Sequence, residues 1–365
     1  MNLKKIDKKL YLYLGISFVV MLILIVIMLV IKFIIGNKVS FEAAEDKIRN
    51  AAITYVEARS ELLPIKGEST RIEFNDLVTA EVIKPFDKLL QDSEAVCTAY
   101  VIIENNNENY LYTPYLDCGD KYQTTKLNDI IKTSGIVTAG EGLYEIEGNL
   151  VFRGEKLNNY VRFADKDWRI VRINNDGTIR LIEIMREDPY VWDDRYNSEI
   201  QSTNGINDYK VSRMKDVLDK LYNSEKEFSK EDKTYLTKQN VCIGKRNEND
   251  TNLSNGIECS ETLDDQYLSL IQINEYALAS IDKNCTTVMK KECSNYNYLA
   301  TFERGYWTIT GIADRSDRIY KINKNVSTNV AASANTIRLV VNLSSNTLYE
   351  SGNGSKENPY IIKMA

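Results

Sequence analysis

No histidine occurs in this 365-residue chain. That removes Ser–His and Cys–His nucleophile pairs and His-ligated metal sites together. What remains is the chemistry of thiols, carboxylates with amides, aromatic rings and Ser–Lys pairs. Six cysteines are present, and they fall into sequence-local pairs: Cys97 with Cys118, Cys242 with Cys259, and Cys285 with Cys293. Six cysteines can pair in many ways, so these three disulfides are proposals. No Cys-x-x-Cys occurs to suggest a thiolate metal site. Oxidised pairs belong in an extracytoplasmic compartment.

The carboxylates and amides cluster in two loops. Asp188, Asp193, Asp194 and Asn197 lie in one. Asn247, Glu248, Asn249, Asp250 and Asn252 lie in the other, inside the Cys242–Cys259 segment. Hard oxygen ligands of this kind suit calcium, the one cofactor the sequence suggests, with Asp188, Asp193, Asp194, Asn197, Asn249 and Asp250 as ligands. Neither loop has EF-hand spacing, and Asx-rich loops also serve simply as solvated turns. Among the rings, Trp168 and Trp307 sit in apolar strand sequences and read as core. Trp192, between Pro189-Tyr190 and Asp193-Asp194, reads as an exposed ring and a ligand contact. Ser229-Lys230 opens a helix and shows no nucleophile context, and no Gly-rich phosphate loop is present. No catalytic residue is assigned.

The strongest single feature is an uncharged run over residues 10–31, rich in Val, Ile, Leu and Met. At 1.5 Å per residue it reaches about 33 Å, enough for a hydrocarbon core of about 30 Å. Lys4, Lys5, Lys8 and Lys9 precede it, so the positive-inside rule places the N-terminus in the cytoplasm and the bulk of the chain outside. Five of the 46 basic but just one of the 52 acidic residues lie in residues 1–36, so the remainder carries a net charge of −10 where the whole chain has −6. An acidic surface argues against nucleic acid as a partner.

The elements that would position these residues follow from periodicity. A helix is expected over 40–63, capped by Ser40, with Ala44, Ile48, Ala51, Ala52, Tyr55 and Leu62 on one stripe. Strands over 96–103 and 110–116 form a hairpin that Cys97 and Cys118 would staple. Residues 126–141 read as a linker. Beyond it, strands are expected over 159–163, 168–173 and 178–184, the last two joined by Asp176-Gly177 in a type I′ turn. An amphipathic helix over 209–223 is capped by Asp208, and Ser229 with Asp232 forms a capping box. A strand over 267–271, a helix through Tyr276 and Leu278, and strands over 306–310, 318–322 and 337–343 complete the chain.

Two resemblances join these elements. The long N-terminal helix followed by Cys97-Thr-Ala-Tyr-Val, Tyr112, Tyr115-Leu-Asp-Cys118 and Tyr122-Gln-Thr124 resembles type IV pilins and pseudopilin-like surface proteins of Gram-positive bacteria. The apolar run lacks the acidic residue and the Gly-Phe processing site of pilins, so an uncleaved anchor is expected. The series Asn159-Tyr-Val-Arg-Phe, Trp168-Arg-Ile-Val-Arg, Tyr267-Leu-Ser-Leu-Ile, Glu275-Tyr276, Tyr306-Trp-Thr-Ile-Thr, Ile337-Arg-Leu-Val-Val-Asn-Leu and Gly354-Ser-Lys-Glu-Asn-Pro-Tyr-Ile-Ile is similar to Gram-positive surface domains of the sulfatase-modifying-factor branch of the C-type-lectin-like fold. Catalytic members of that branch place a Cys pair after a strand matching Gly305-Tyr306-Trp307. Here the last cysteine is Cys293, upstream, so that oxidase site is missing.

The expected fold is therefore α+β. It comprises a cytoplasmic tail (1–9), a transmembrane helix (10–35), a small pilin-like module (36–125), a linker (126–141) and a larger lectin-like domain (142–365). The expected function is membrane-anchored, non-catalytic binding or adhesion at a bacterial surface. Its partners would be the membrane, crossed once, and a cell-wall or host glycan or a protein ligand. The alternatives are a minor pilin-like or secretion-machine component, and an enzyme of unknown type on the lectin-like scaffold.

Overall fold

The computed structural model describes residues 17–23, 25, 38–106, 109–184, 186–300 and 304–364. They divide into two compact units. The smaller is drawn from Met1–Leu63, Ser69–Ile103 and Pro114–Thr124, and the larger from Pro64–Glu68, Glu104–Thr113 and Thr125–Ala365. The chain is α+β, with strands dominating.

The transmembrane helix expected at the head of this fold is not supported. Among the described residues no helix is long and apolar enough to cross a membrane. Helical backbone is described over 17–23 and at Ile25. The rest of the 10–35 run and the whole 1–9 tail lie outside the described residues.

In the smaller unit the helix expected over 40–63 forms over Phe41–Glu57 and ends short, with the Ser40 hydroxyl accepting the Ala43 N–H. Its stripe Ala44, Ile48, Ala51, Ala52 and Val56 is buried. A separate 3-10 turn covers Ser60–Leu62, so Leu62 does not join that stripe. Glu45 is turned inward, and its carboxylate accepts a hydrogen bond from the Thr124 hydroxyl. Strands Ser69–Glu73, Thr98–Asn106 and Asn109–Asp117 form a three-stranded sheet in that order, and Cys97 and Cys118 are disulfide-bonded at the open end of the hairpin.

The larger unit is built on a nine-stranded sheet. Its centre is a row of antiparallel strands: Tyr160–Phe163, Lys166–Ile173, Ile179–Glu183 and Val340–Leu343. The C-terminal strand Tyr360–Ile362 joins parallel to Tyr160–Phe163. A hairpin of Gly142–Ile146 and Asn149–Arg153, not foreseen, pairs onto Lys166–Ile173. Every residue of Ile179–Glu183 and Val340–Leu343 is buried, which is the signature of a strand covered on both faces. A second sheet, Tyr306–Gly311, Arg318–Ile322 and Val326–Val330, contributes Trp307, Ile309 and Tyr320 to the same core as Trp168, Leu181 and Val341.

Several expectations shift in detail. The segment read as a linker contains the helix Leu127–Lys132, whose Leu127 and Ile131 are fully buried. The helix at 209–223 is broken in two: a 3-10 turn Tyr209–Val211 capped by Asp208, then Arg213–Asn223 capped by Ser212. The strand expected over 267–271 lies earlier, at Thr262–Gln266, paired with Gln239–Cys242. Tyr267–Ile271 is instead a buried run tied to the sheet where Ser269 exchanges backbone hydrogen bonds with Val340.

The Asp176-Gly177 turn also differs. A type I′ turn needs positive φ at both central positions, but here only Gly177 has it, at +82°. The reason is side-chain bonding. The Asp176 carboxylate accepts both the Thr178 N–H and its hydroxyl, and this holds Asp176 in ordinary backbone space. Gly177 takes the strain alone. A Cβ there would meet Asn128 Nδ2 and the Ser345 Cβ at 3.2 Å. Gly177→Ala is therefore expected to destabilise the protein by about 1–2 kcal/mol, read as a lowered urea midpoint. A midpoint equal to that of the parent would show that the turn relaxes without cost.

Candidate functional site

The loop expected to hold calcium and an exposed ring is built differently. Trp192 is fully buried. Its indole N–H donates to the Thr308 carbonyl at 3.2 Å, and its ring lies 6.1 Å from that of Tyr209. The cause is the short pairing of Tyr190–Val191 with Ala334–Asn335, after which the Trp192 and Asp193 amides both donate to Ala331 O. That turn carries the ring inward, so the expected ligand contact at Trp192 is corrected to a core residue.

Asp193 is also fully buried. Its carboxylate receives the Arg195 guanidinium Nε at 2.9 Å and the amides of Arg195, Ile206 and Arg213. Asp194 is exposed and pairs with Arg213. Asn197 is buried, donating to Gly205 O and Ser316 Oγ. Asp188 and Asn249 are exposed, and Asp250 accepts the Asn247 amide at 2.9 Å. Among the described residues no group of three or more Cys, Asp or Glu side chains is placed to hold a metal. The carboxylate of Asp193 is committed to its own loop.

The other two disulfides form as proposed, Cys242–Cys259 and Cys285–Cys293. Three disulfides fit an extracellular domain. Inside the Cys242–Cys259 segment Arg246 and Glu258 form a fully buried ion pair at 2.6 Å. Arg246 also donates to Asn252 O and Ser254 O, so this second Asx-rich loop is wrapped around a guanidinium.

The larger unit holds a polar cavity of about 340 Å³ elsewhere. Its floor is a row of side chains across three neighbouring strands. Arg172 lies opposite Arg180, and Arg180 lies opposite Asn342. Directly opposed residues of an antiparallel sheet share a face, so all three project together. The juxtaposition of the two arginines depends on a register shift between Ile170 and Arg172, a bulge that places Ile170 and Val171 in the core together. Asn149, Asn174, Asn175, Asp176, Lys238, Gln239, Asn240, Asn255 and Gln272 complete most of the polar wall.

Two guanidiniums side by side repel. Glu275 answers both. It stands in the first turn of the helix Ile273–Ala279 and also accepts the Gln272 amide in a capping box. Its carboxylate receives Arg180 Nε at 2.7 Å and Arg180 Nη2 at 3.1 Å, and it pairs with Arg172 Nη1. Arg180 Nη1 donates to Gln239 Oε1 and Arg172 Nε to Asn174 Oδ1. Burial alone would raise the Glu275 pKa. The charges of Arg180 and Arg172, with their hydrogen bonds, overcome it and hold the group down at about 2. Among the described residues Asn342 Oδ1 is buried with no hydrogen-bond partner. A small recess beside the cavity shares Asn149, Arg172 and Asn255 with it, and is lined by Asn274 and Tyr298, whose Oδ1 and hydroxyl are likewise buried and unpartnered. The chemistry on offer is hydrogen bonding and positive charge. A carboxylate held ionised at about 2 has no proton to donate near neutrality and is a weak base.

Sequence reasoning did not single out Arg180 or Gln239, and it quoted Arg172, Glu275 and Asn342 only within segments that carry a resemblance. The available signal was an arginine inside each of two strongly apolar strands. No family model, no curated protein and no solved structure matches the chain.

Glu275 makes stability depend on pH. Its folded pKa lies below the ordinary 4.5, so its contribution is full above that value and is lost as pH falls toward 2. Glu227, held at about 2 by Arg186 and Lys166 against its own burial, acts in the same direction. Urea midpoints are expected to fall steeply between pH 4.5 and 2, with Glu275 accounting for about 3 kcal/mol. Glu275→Gln should be less stable at pH 7, because it leaves the buried Arg180 and the partly buried Arg172 guanidiniums uncompensated, and should converge on the parent near pH 2. A parent midpoint that stays flat down to pH 2.5 would overturn this account.

Proposed function

We propose that this protein acts outside the cytoplasm, at a bacterial surface, as a non-catalytic binding or adhesion protein, and that the larger unit holds its ligand, a saccharide, in the cavity floored by Arg172, Arg180 and Asn342. The observation that carries this reading is the amide-rich lining. Five asparagines other than Asn342, with Gln239 and Gln272, face a 340 Å³ space. Side-chain amides both donate and accept, which matches the hydroxyls of a sugar. The buried, unpartnered Asn342 Oδ1 is an acceptor that a ligand hydroxyl would satisfy, and leaving it unmet is costly.

Three features support binding over turnover. Glu275 is locked as an anion by its arginines. Asp176 is occupied by Thr178. The volume sits near the lower end of ligand pockets, about 300–1,000 Å³, which suits one or two sugar rings. The three disulfides agree with exposure to an oxidising environment. The resemblance of residues 142–365 to lectin-like surface domains points the same way.

Calorimetric titration of the full chain with a panel of neutral and acidic mono- and oligosaccharides tests this reading. Saturable, one-site binding is expected for at least one member. Asn240→Ala, an exposed change in the cavity wall, should weaken it by about two- to tenfold with an unchanged melting temperature. The reading fails if no saccharide binds, or if the binding observed is indifferent to Asn240→Ala and Asn342→Leu.

A further inference from the structure

The charge of the cavity carries the assignment one step further. We propose that its ligand is an anionic polyol, a sugar or sugar alcohol bearing a carboxylate or phosphate, seated with its acidic group at Arg172 and Lys238. This rests on the reading that the cavity binds saccharide.

The lining holds Arg172, Arg180 and Lys238 against the one carboxylate of Asp176. Glu275 neutralises one guanidinium from behind and leaves the lining net positive, in a chain whose own charge is −6. A cationic lining in an acidic protein is not a by-product of composition. It concentrates anions at the cavity mouth.

The three cations differ in availability. Arg180 is 3% exposed and its Nε, Nη1 and Nη2 are all bonded, to Glu275 and Gln239. Arg172 is 23% exposed. Its Nε and Nη1 are bonded, to Asn174 and Glu275, and among the described residues its Nη2 has no hydrogen-bond partner. Lys238 pairs with Asp265, a residue 74% exposed, and exposed pairs of this kind hold weakly. Arg172 Nη2 and the Lys238 ammonium are therefore the donors that a ligand can recruit.

The lining also lacks something a neutral sugar would use. Its apolar members are Val241 and the Cys242–Cys259 disulfide, and no aromatic ring is among them. With no ring to stack on, a neutral sugar would only exchange water hydrogen bonds for amide ones, a nearly even trade. Charge-assisted bonds to a guanidinium are roughly twice as strong. In this cavity, affinity has to come from an acidic group, with the amides reading hydroxyl positions. The same lack of rings disfavours a nucleotide, whose base would have nothing to stack against.

The test titrates the full chain with D-glucuronate, glucose 6-phosphate and glucose at low and moderate salt. At least one of the two anions should bind about tenfold or more tightly than glucose, with affinity falling as salt rises. Whichever anion binds tells carboxylate from phosphate. Lys238→Gln, a change at a partly exposed position, should weaken the anion by about threefold and leave glucose unaffected. Arg172→Gln, checked for folding by circular dichroism, should erase the preference for the anion. If glucose binds as tightly as both anions with no salt dependence, or if Lys238→Gln and a folded Arg172→Gln leave the preference intact, the anionic assignment is wrong while the saccharide reading stands. If neither anion nor glucose binds but another neutral saccharide does, the anionic assignment again falls alone. If no saccharide of any charge binds, both fall together.

Discussion

The larger unit depends on one buried carboxylate. Arg172 and Arg180 face each other across adjacent central strands, a repulsive pairing that no apolar packing offsets. Glu275, delivered from a helix about a hundred residues away in sequence, lets both remain charged in a half-dry site. Removing one partner of such a group costs far more than the intact group contributes, because it strands a charge out of water. The triad is therefore best understood as a register device. Only one placement of the helix Ile273–Ala279 over the sheet, and only the bulged register of Lys166–Ile173, brings the three charges together.

The helix that carries Glu275 is held at both ends as well as at its centre. The Ile273 amide donates to Thr310 Oγ1 at its start. At its finish Arg153 donates to Leu278 O and Ser280 O, each at 2.7 Å, meeting the terminal carbonyls that a helix cannot satisfy by itself. Asn297 bonds both Tyr276 O and Cys293 O, which ties the Cys285–Cys293 loop to the same helix. A seven-residue helix has little stability of its own. These tertiary bonds make it a rigid platform, and rigidity is what a preformed polar cavity needs if ordering costs are not to cancel its affinity.

The two Asx-rich loops illustrate how composition misleads. Both looked like oxygen cages. In one, Asp193 faces inward and organises its own turn and the start of the helix Arg213–Asn223. In the other, backbone carbonyls and Glu258 surround Arg246. In each case the buried charge finds an internal partner, as burial requires. The disulfide Cys242–Cys259 closes the second loop and also walls the cavity, so one covalent link serves both the fold and the candidate site.

What the sequence determined by itself is local. Capping residues set the starts of Phe41–Glu57 and Lys230–Tyr235, because a hydroxyl three residues before an amide needs nothing distant to bond it. Cysteines close in sequence paired with each other, because short loops cost little to close. Apolar strand sequences became the core, with Trp168 and Trp307 fully buried in it. What only the tertiary structure decided is which polar residues meet. Trp192 had polar neighbours in sequence but a dry place in space. Arg172, Arg180, Gln239, Glu275 and Asn342 are scattered over some 170 positions, and no local pattern marks them as partners. A one-residue bulge and the docking of a short helix bring them together, and both arise from long-range packing that no sequence window contains.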